Sequence, residues 1–141
     1  MRSPIRGAIV VTGYELARGE RDDRNGPYLA RALAALGIEP ASLRIVGDDP
    51  SDLEAAITDG LGHRLLVVSG GLGPTHDDRT AEAIARATGR GLTLDAALAA
   101  EIERRSRSAP LAAVRKQATV PDGAIRSEEH TSELQSRFGI S

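Results

Sequence analysis

The residues with the greatest chemical capacity lie in one segment, Ser69-Gly70-Gly71-Leu72-Gly73-Pro74-Thr75-His76-Asp77-Asp78. Gly70, Gly71 and Gly73 carry no Cβ, so their backbone N–H groups can turn toward a bound anion and approach it closely. A helix predicted to begin near Arg79 would add the positive end of its dipole. The combination suits a phosphate group. It equally suits a tight strand-to-helix turn in which Asp77 and Asp78 favour the helix start, and the pattern alone leaves both readings open. It is neither a dinucleotide fingerprint, because GGLGP is not G-x-G-x-x-G, nor a Walker A, because no lysine follows.

Two other strand ends carry polar clusters. Thr12-Gly13-Tyr14-Glu15 follows the first predicted strand, with Arg18, Asp22, Asp23 and Asn25 in the loop beyond, and Gly47-Asp48-Asp49 follows the second. In an open parallel sheet, ligands bind beyond the carboxyl ends of the strands. Asp48 and Asp78, brought together there, would make a hard oxygen site for Mg²⁺ or Mn²⁺, holding a pyrophosphate and polarising its phosphorus. Asp23 would add to that charge, although a loop acid in RGERDDR is commonly only solvated. An Asp ahead of Pro50 also suits a helix N-cap, so capping and ligation both stay open for Asp48 and Asp49. His76 beside the glycine loop is a candidate base, but His63 and His76 lack metal-ligand spacing, and histidine catalysis is not expected.

These residues need a scaffold that delivers strand ends to one rim. Gly7 to Thr12 is a continuously apolar run, the form of a strand buried on both faces of a parallel sheet. From about Asn25 to Leu36, apolar residues recur at Leu29, Ala32, Leu33 and Leu36, a helix closed by Gly37 as a left-handed cap. Ser42 to Val46 reads as a second strand, and Asp49-Pro50 opens a helix with Leu53, Ala56, Ile57 and Leu61 on its apolar stripe. Leu65 to Ser69 is the third strand. A helix from Thr80 to Thr88 stops at Gly89, Asp95 caps another through about Arg107, and Arg115 to Val120 is extended before the Pro121-Asp122-Gly123 turn. Strands alternating with helices predict right-handed βαβ units and a three-layer α/β/α fold with a mostly parallel sheet.

Composition narrows the chemistry further. The chain has 141 residues, with 18 Lys+Arg against 20 Asp+Glu, and is 40% hydrophobic, which fits one soluble globular domain. With no cysteine there is no thiolate nucleophile, disulfide framework or Cys-based metal site, so any metal must bind oxygen or imidazole. Lys116 is the only lysine, which argues against Schiff-base chemistry. A pI near 5.9 and three aromatics, Tyr14, Tyr28 and Phe138, provide neither a basic field nor a row of stacking platforms for nucleic acid. No apolar run reaches the ~18 residues of a membrane span, and no signal-like segment opens the chain, so a cytoplasmic location is the default.

The pattern ends abruptly at Arg126. Arg126 to Ser136 reads RSEEHTSELQS, the translation of a common sequencing adaptor in one frame. The domain is therefore expected over residues 1–125, truncated at its C-terminal end, with 126–141 set aside from fold reasoning.

The segments ELARGERDDRNGPYLARALAALGIEP, VGDDPSDLEAAI, VVSGGLGPTHDDRTAEAIARATGRGLTLD and RKQATVPDGA, in that order, carry a family resemblance. Over residues 6–125 the chain resembles the N-terminal domain of the competence/damage-inducible protein A (CinA) family, in the molybdopterin-binding domain superfamily, and SGGLGPTHDDRT is the most specific match. The resemblance implies the three-layer α/β/α fold. It places Thr12, Gly13 and Glu15 in the first ligand-side loop, Asp23 and Asn25 in an acidic loop, Asp48 after the second strand, and Gly70, Gly71, Gly73, Pro74, Thr75 and Asp78 in the glycine-rich ligand loop. Related molybdopterin adenylyltransferases have a GGTG loop followed by Arg-Asp; here Leu72 replaces the threonine and Asp77 the arginine, which favours the CinA branch.

For that branch the resemblance implies a metal-dependent ADP-ribose pyrophosphatase, with Asp48 and Asp78 holding the metal and no organic cofactor. The ligand expected is a nucleotide diphosphate or a pterin, and self-association is compatible with an open sheet edge. Adenylyl transfer to a pterin phosphate and ligand binding without turnover are the alternatives. Full-length members often add a nicotinamide mononucleotide deamidase domain, which this sequence does not contain. The family's Asn-Pro…Gly-Thr-Ala-Pro-Gly loop is expected shortly after Ala124, where the adaptor-like segment begins.

Overall fold

The computed structural model describes residues 2–127 and 138–139, so most of the adaptor-like segment, His130 included, lies outside the described residues. The chain divides into two units, Met1–Gly71 and Leu72–Ser141.

The first unit contains β1 (Ile5–Thr12), α1 (Tyr14–Ala17), α2 (Asn25–Ala35), β2 (Ile38–Val46), α3 (Pro50–Gly60) and β3 (Leu65–Ser69). Its sheet has the order β2-β1-β3 with both pairings parallel. The apolar run in β1 makes it the central strand, and Ala8, Ile9, Val10 and Val11 are each at most 1% exposed.

Strand alternation sends these side chains to opposite faces. Ile9 and Val11 pack with Leu33 of α2, flanked by Leu29, Ala30, Ile38, Leu65 and Val67. The other face carries Ala8 and Val10, in register with Leu66 and Val68 of β3. There α3 comes so close that a Cβ on Gly60 would lie 2.6 Å from the Leu66 side chain. Helices thus cover both faces of a parallel sheet, giving the three-layer α/β/α arrangement expected from the strand–helix alternation.

The helix ends follow their local chemistry. Gly37 has φ +77 after α2, a left-handed position that glycine occupies without a steric cost. Asp49 caps α3 through its Oδ1, which accepts from the N–H groups of Ser51 (2.8 Å) and Asp52 (3.2 Å). Strand β2 differs from expectation: it starts at Ile38 rather than Ser42, and the register to β1 shifts between Gly7 and Ala8, passing from Pro40 to Ser42. Proline cannot donate to a ladder, and an edge strand with one irregularity accommodates it.

The second unit contains α4 (Thr80–Thr88), β4 (Leu92–Leu94), α5 (Ala96–Arg105), α6 (Leu111–Ala118), β5 (Thr119–Pro121), β6 (Ile125–Arg126) and β7 (Phe138–Gly139). β4 pairs antiparallel with β5, and β6 with β7. The extended segment expected over Arg115 to Val120 is corrected here. Residues through Ala118 are helical because Val114 and Ala118, four residues apart, bury one face of α6 against Leu98 and Ile102 of α5. Only Thr119–Pro121 is extended. Its partner β4 was not anticipated, since LTL is three residues long and exposed throughout. Asp95 caps α5 by accepting from Leu98 N–H at 3.0 Å. Arg126 reaches Glu101 at 2.8 Å and Asp95 at 3.7 Å. No helix among the described residues is long and apolar enough to cross a membrane.

Candidate functional site

The carboxyl ends of the three parallel strands gather most of the expected site residues of the first unit. Gly13 N–H donates to Val46 O at 3.0 Å, fastening the end of β1 to the end of β2, and Thr12 Oγ1 lies 3.5 Å from Gly47 O. On the other side, Gly70 follows β3 with φ +95 and Gly71 with φ +68. A Cβ on Gly70 would overlap the Thr12 carbonyl oxygen. This glycine is therefore required twice, by its backbone angle and by the close approach of β1. Gly70→Ala is expected to lower stability by about 1–3 kcal/mol through backbone strain and to shift the loop; a chemical denaturation curve measures the first effect. A midpoint equal to wild type would show that the loop relaxes without strain.

Asp23 is neither simply solvated nor a spare charge. Its Oδ1 accepts from Asn25 N–H at 2.9 Å, and Gly26 N–H lies 3.1 Å from each of its carboxylate oxygens, so it ties down the first turn of α2. That fixes Asn25, whose side-chain amide donates to Ser69 Oγ at 3.0 Å. Ser69 was not singled out as a site residue from sequence. Its signal is its position, a hydroxyl ending an otherwise apolar strand immediately before Gly70. Glu15 is exposed, and its backbone oxygen accepts from Glu20 N–H (2.9 Å) and Arg21 N–H (3.2 Å), closing the loop after α1. The capping question at the end of β2 is resolved: Asp49 is the cap, and Asp48 is the half-buried residue before it.

In the second unit, Asp78 organises the rest of the glycine-rich loop. Its Oδ2 accepts from Thr75 N–H at 2.9 Å and from Thr75 Oγ1 at 2.7 Å, while Asp78 N–H donates back to Thr75 O at 3.1 Å. Gly73 makes room for this carboxylate, because a Cβ there would lie 2.6 Å from Asp78 Oδ2. Pro74 and Thr75 are exposed. His76 is also exposed, with Nε2 3.2 Å from Asp77 Oδ1. Asp48 belongs to the first unit and Asp78 to the second. Among the described residues, no three His, Asp or Glu side chains group in a way that could hold a metal ion.

A parallel sheet sandwiched between helices, with a glycine-rich loop at its carboxyl rim, defines a class of α/β domains that bind ligands beyond their strand ends. The family model described as Probable molybdopterin binding domain matches residues 8–132, and the chain belongs to that family. It is similar to a CinA-like protein of Mycolicibacterium vanbaalenii, 45% identical over 133 residues that cover 85% of this chain and 32% of the relative. Among solved structures it is similar to CinA of Thermoplasma acidophilum (28% identity, TM-score 0.81, covering 89% of this chain and 75% of that one). It is also similar to the tungsten cofactor synthesising protein MoaB of Pyrococcus furiosus (25% identity, TM-score 0.60, covering 92% and 78%). The chain spans about a third of the length of the curated relatives it matches.

Proposed function

We propose that this chain binds a nucleotide diphosphate at the strand-end rim and hydrolyses its pyrophosphate bond with a divalent cation, ADP-ribose being the substrate. The observation that carries this reading is the glycine-rich segment: Gly70 is forced into a left-handed conformation against Thr12, and Thr75 and Asp78 form a hydrogen-bonded turn ahead of α4 for which Gly73 leaves room. Backbone without Cβ atoms lets a phosphate approach the N–H groups closely. The polar residues Thr12, Asn25 and Ser69 line the ends of β1 and β3 and the start of α2, where they would orient the remainder of the ligand.

Asp78 of the second unit is a proposed oxygen donor for Mg²⁺ or Mn²⁺, and Asp48 of the first unit is the other donor that the family resemblance implies. Their chemistry fits, because Mg²⁺ is commonly held by one or two carboxylates together with substrate phosphates. Among the described residues both hydrogen bonds to the Asp78 side chain fall on Oδ2, which makes Oδ1 the proposed donor to the cation. When bound, the ion would neutralise and polarise the phosphate. The chain's own groups do the rest: the loop binds, Asp23 holds Asn25 in place, and the Asn25–Ser69 pair presents polar atoms at the rim.

A single-turnover reaction with ADP-ribose tests the reading. AMP and ribose 5-phosphate are expected with Mg²⁺ and not after chelation. The likeness to MoaB supports a second reading, adenylyl transfer from ATP to a pterin phosphate at the same rim. ATP consumption that requires the pterin, with intact ADP-ribose, would replace the first reading by the second.

A further inference from the structure

We infer that Tyr14 and Arg18 form a stacking subsite for the planar heteroaromatic ring of the ligand, a purine or a pterin. This rests on the rim of the first unit being the ligand site. Tyr14 is the second residue beyond the end of β1, the central strand, yet it is 47% exposed rather than packed into the core. The short turn of α1 is tied by Ala17 N–H to Gly13 O (3.0 Å) and Arg18 N–H to Tyr14 O (3.1 Å), which places residues 14 and 18 on one side of it.

Arg18 lies over the Tyr14 ring, its guanidinium carbon 4.8 Å from the centroid, and its Nη1 donates to the tyrosine hydroxyl. Arg18 is in turn 3.4 Å from Glu20. The guanidinium thus lies against the ring from one side, and the tyrosine keeps about half of its surface exposed at the strand-end rim.

The charge balance selects the ligand part. Glu20 offsets the Arg18 charge, so the pair is a poor anion site and a good flat, weakly polar one. An uncharged aromatic ring fits it, while the phosphate belongs to the glycine-rich loop.

Titration calorimetry of the 141-residue chain, with Mg²⁺ present, tests the assignment using AMP, a pterin monophosphate and inorganic pyrophosphate as probes. Tyr14→Ala is expected to weaken binding of AMP or the pterin by about 5- to 100-fold, with pyrophosphate binding unchanged. Tyr14→Phe is expected to keep close to wild-type affinity for all three. Whichever of AMP and the pterin loses more affinity in Tyr14→Ala identifies the ring. Equal binding of AMP and the pterin by wild type and Tyr14→Ala overturns the stacking subsite and leaves the proposed function standing. Parallel loss of pyrophosphate binding also overturns it, since Tyr14 would then act through the loop. Wild type that binds none of the probes overturns both.

Discussion

Asp78→Ala is expected to lower single-turnover cleavage of ADP-ribose by about 100-fold or more, the scale of losing one group that stabilises developing charge on a reacting phosphate. The variant removes two things at once. It deletes a carboxylate, and it leaves Thr75 N–H and Oγ1 without the Asp78 Oδ2 that accepts from both. Asp78→Asn separates them, because the amide oxygen can still accept from Thr75 while the negative charge is gone. If charge is what matters, both variants lose turnover and the asparagine variant melts near wild type. Wild-type turnover in Asp78→Asn, with loss only in Asp78→Ala, would make Asp78 a residue that shapes the loop and would end its assignment as a metal ligand.

Ile9→Ala should give the largest loss of stability, about 2–5 kcal/mol for a large-to-small change at a closed core position. Ile9 is 0% exposed and sits in the cluster with Val11 and Leu33, walled by residues from α2, β2 and β3. A small domain is stable by only about 5–15 kcal/mol, so the cavity takes a large share. Leu36→Ala is the control, since Leu36 is 75% exposed after α2, and it should shift stability by about 0.5 kcal/mol or less. Denaturant midpoints decide the matter. A loss for Ile9→Ala no larger than for Leu36→Ala would mean that the sheet is not packed around β1.

Much of the scaffold was legible because its signals are local. The apolar run of β1, the left-handed stops at Gly37 and Gly89, and the caps at Asp49 and Asp95 all depend on residues within a few positions of one another. The errors occurred where local preference was weak and packing decided. Arg115–Ala118 is helical because Val114 and Ala118 find Leu98 and Ile102, and β4 is a strand because Thr119–Pro121 lies beside it. Strand β2 begins at Ile38, ahead of the expected Ser42, because pairing with β1 extends it and an irregular edge pairing accepts Pro40.

The candidate site divides along the same line. The sequence by itself determined which chemistry was available: glycines where a phosphate needs bare backbone, carboxylates after the strands, no cysteine, and motifs in the order of one family. Only the tertiary structure decided which of these groups were already committed. Asp23 ties down the first turn of α2, Asp49 caps α3, Asp78 folds its own loop, and Asn25 meets Ser69 across 44 positions of sequence. That meeting depends on strand order, because β1 and β3 are hydrogen-bonded neighbours although three helices and β2 separate them along the chain. No local signal encodes such a pairing; it follows from burying both faces of β1.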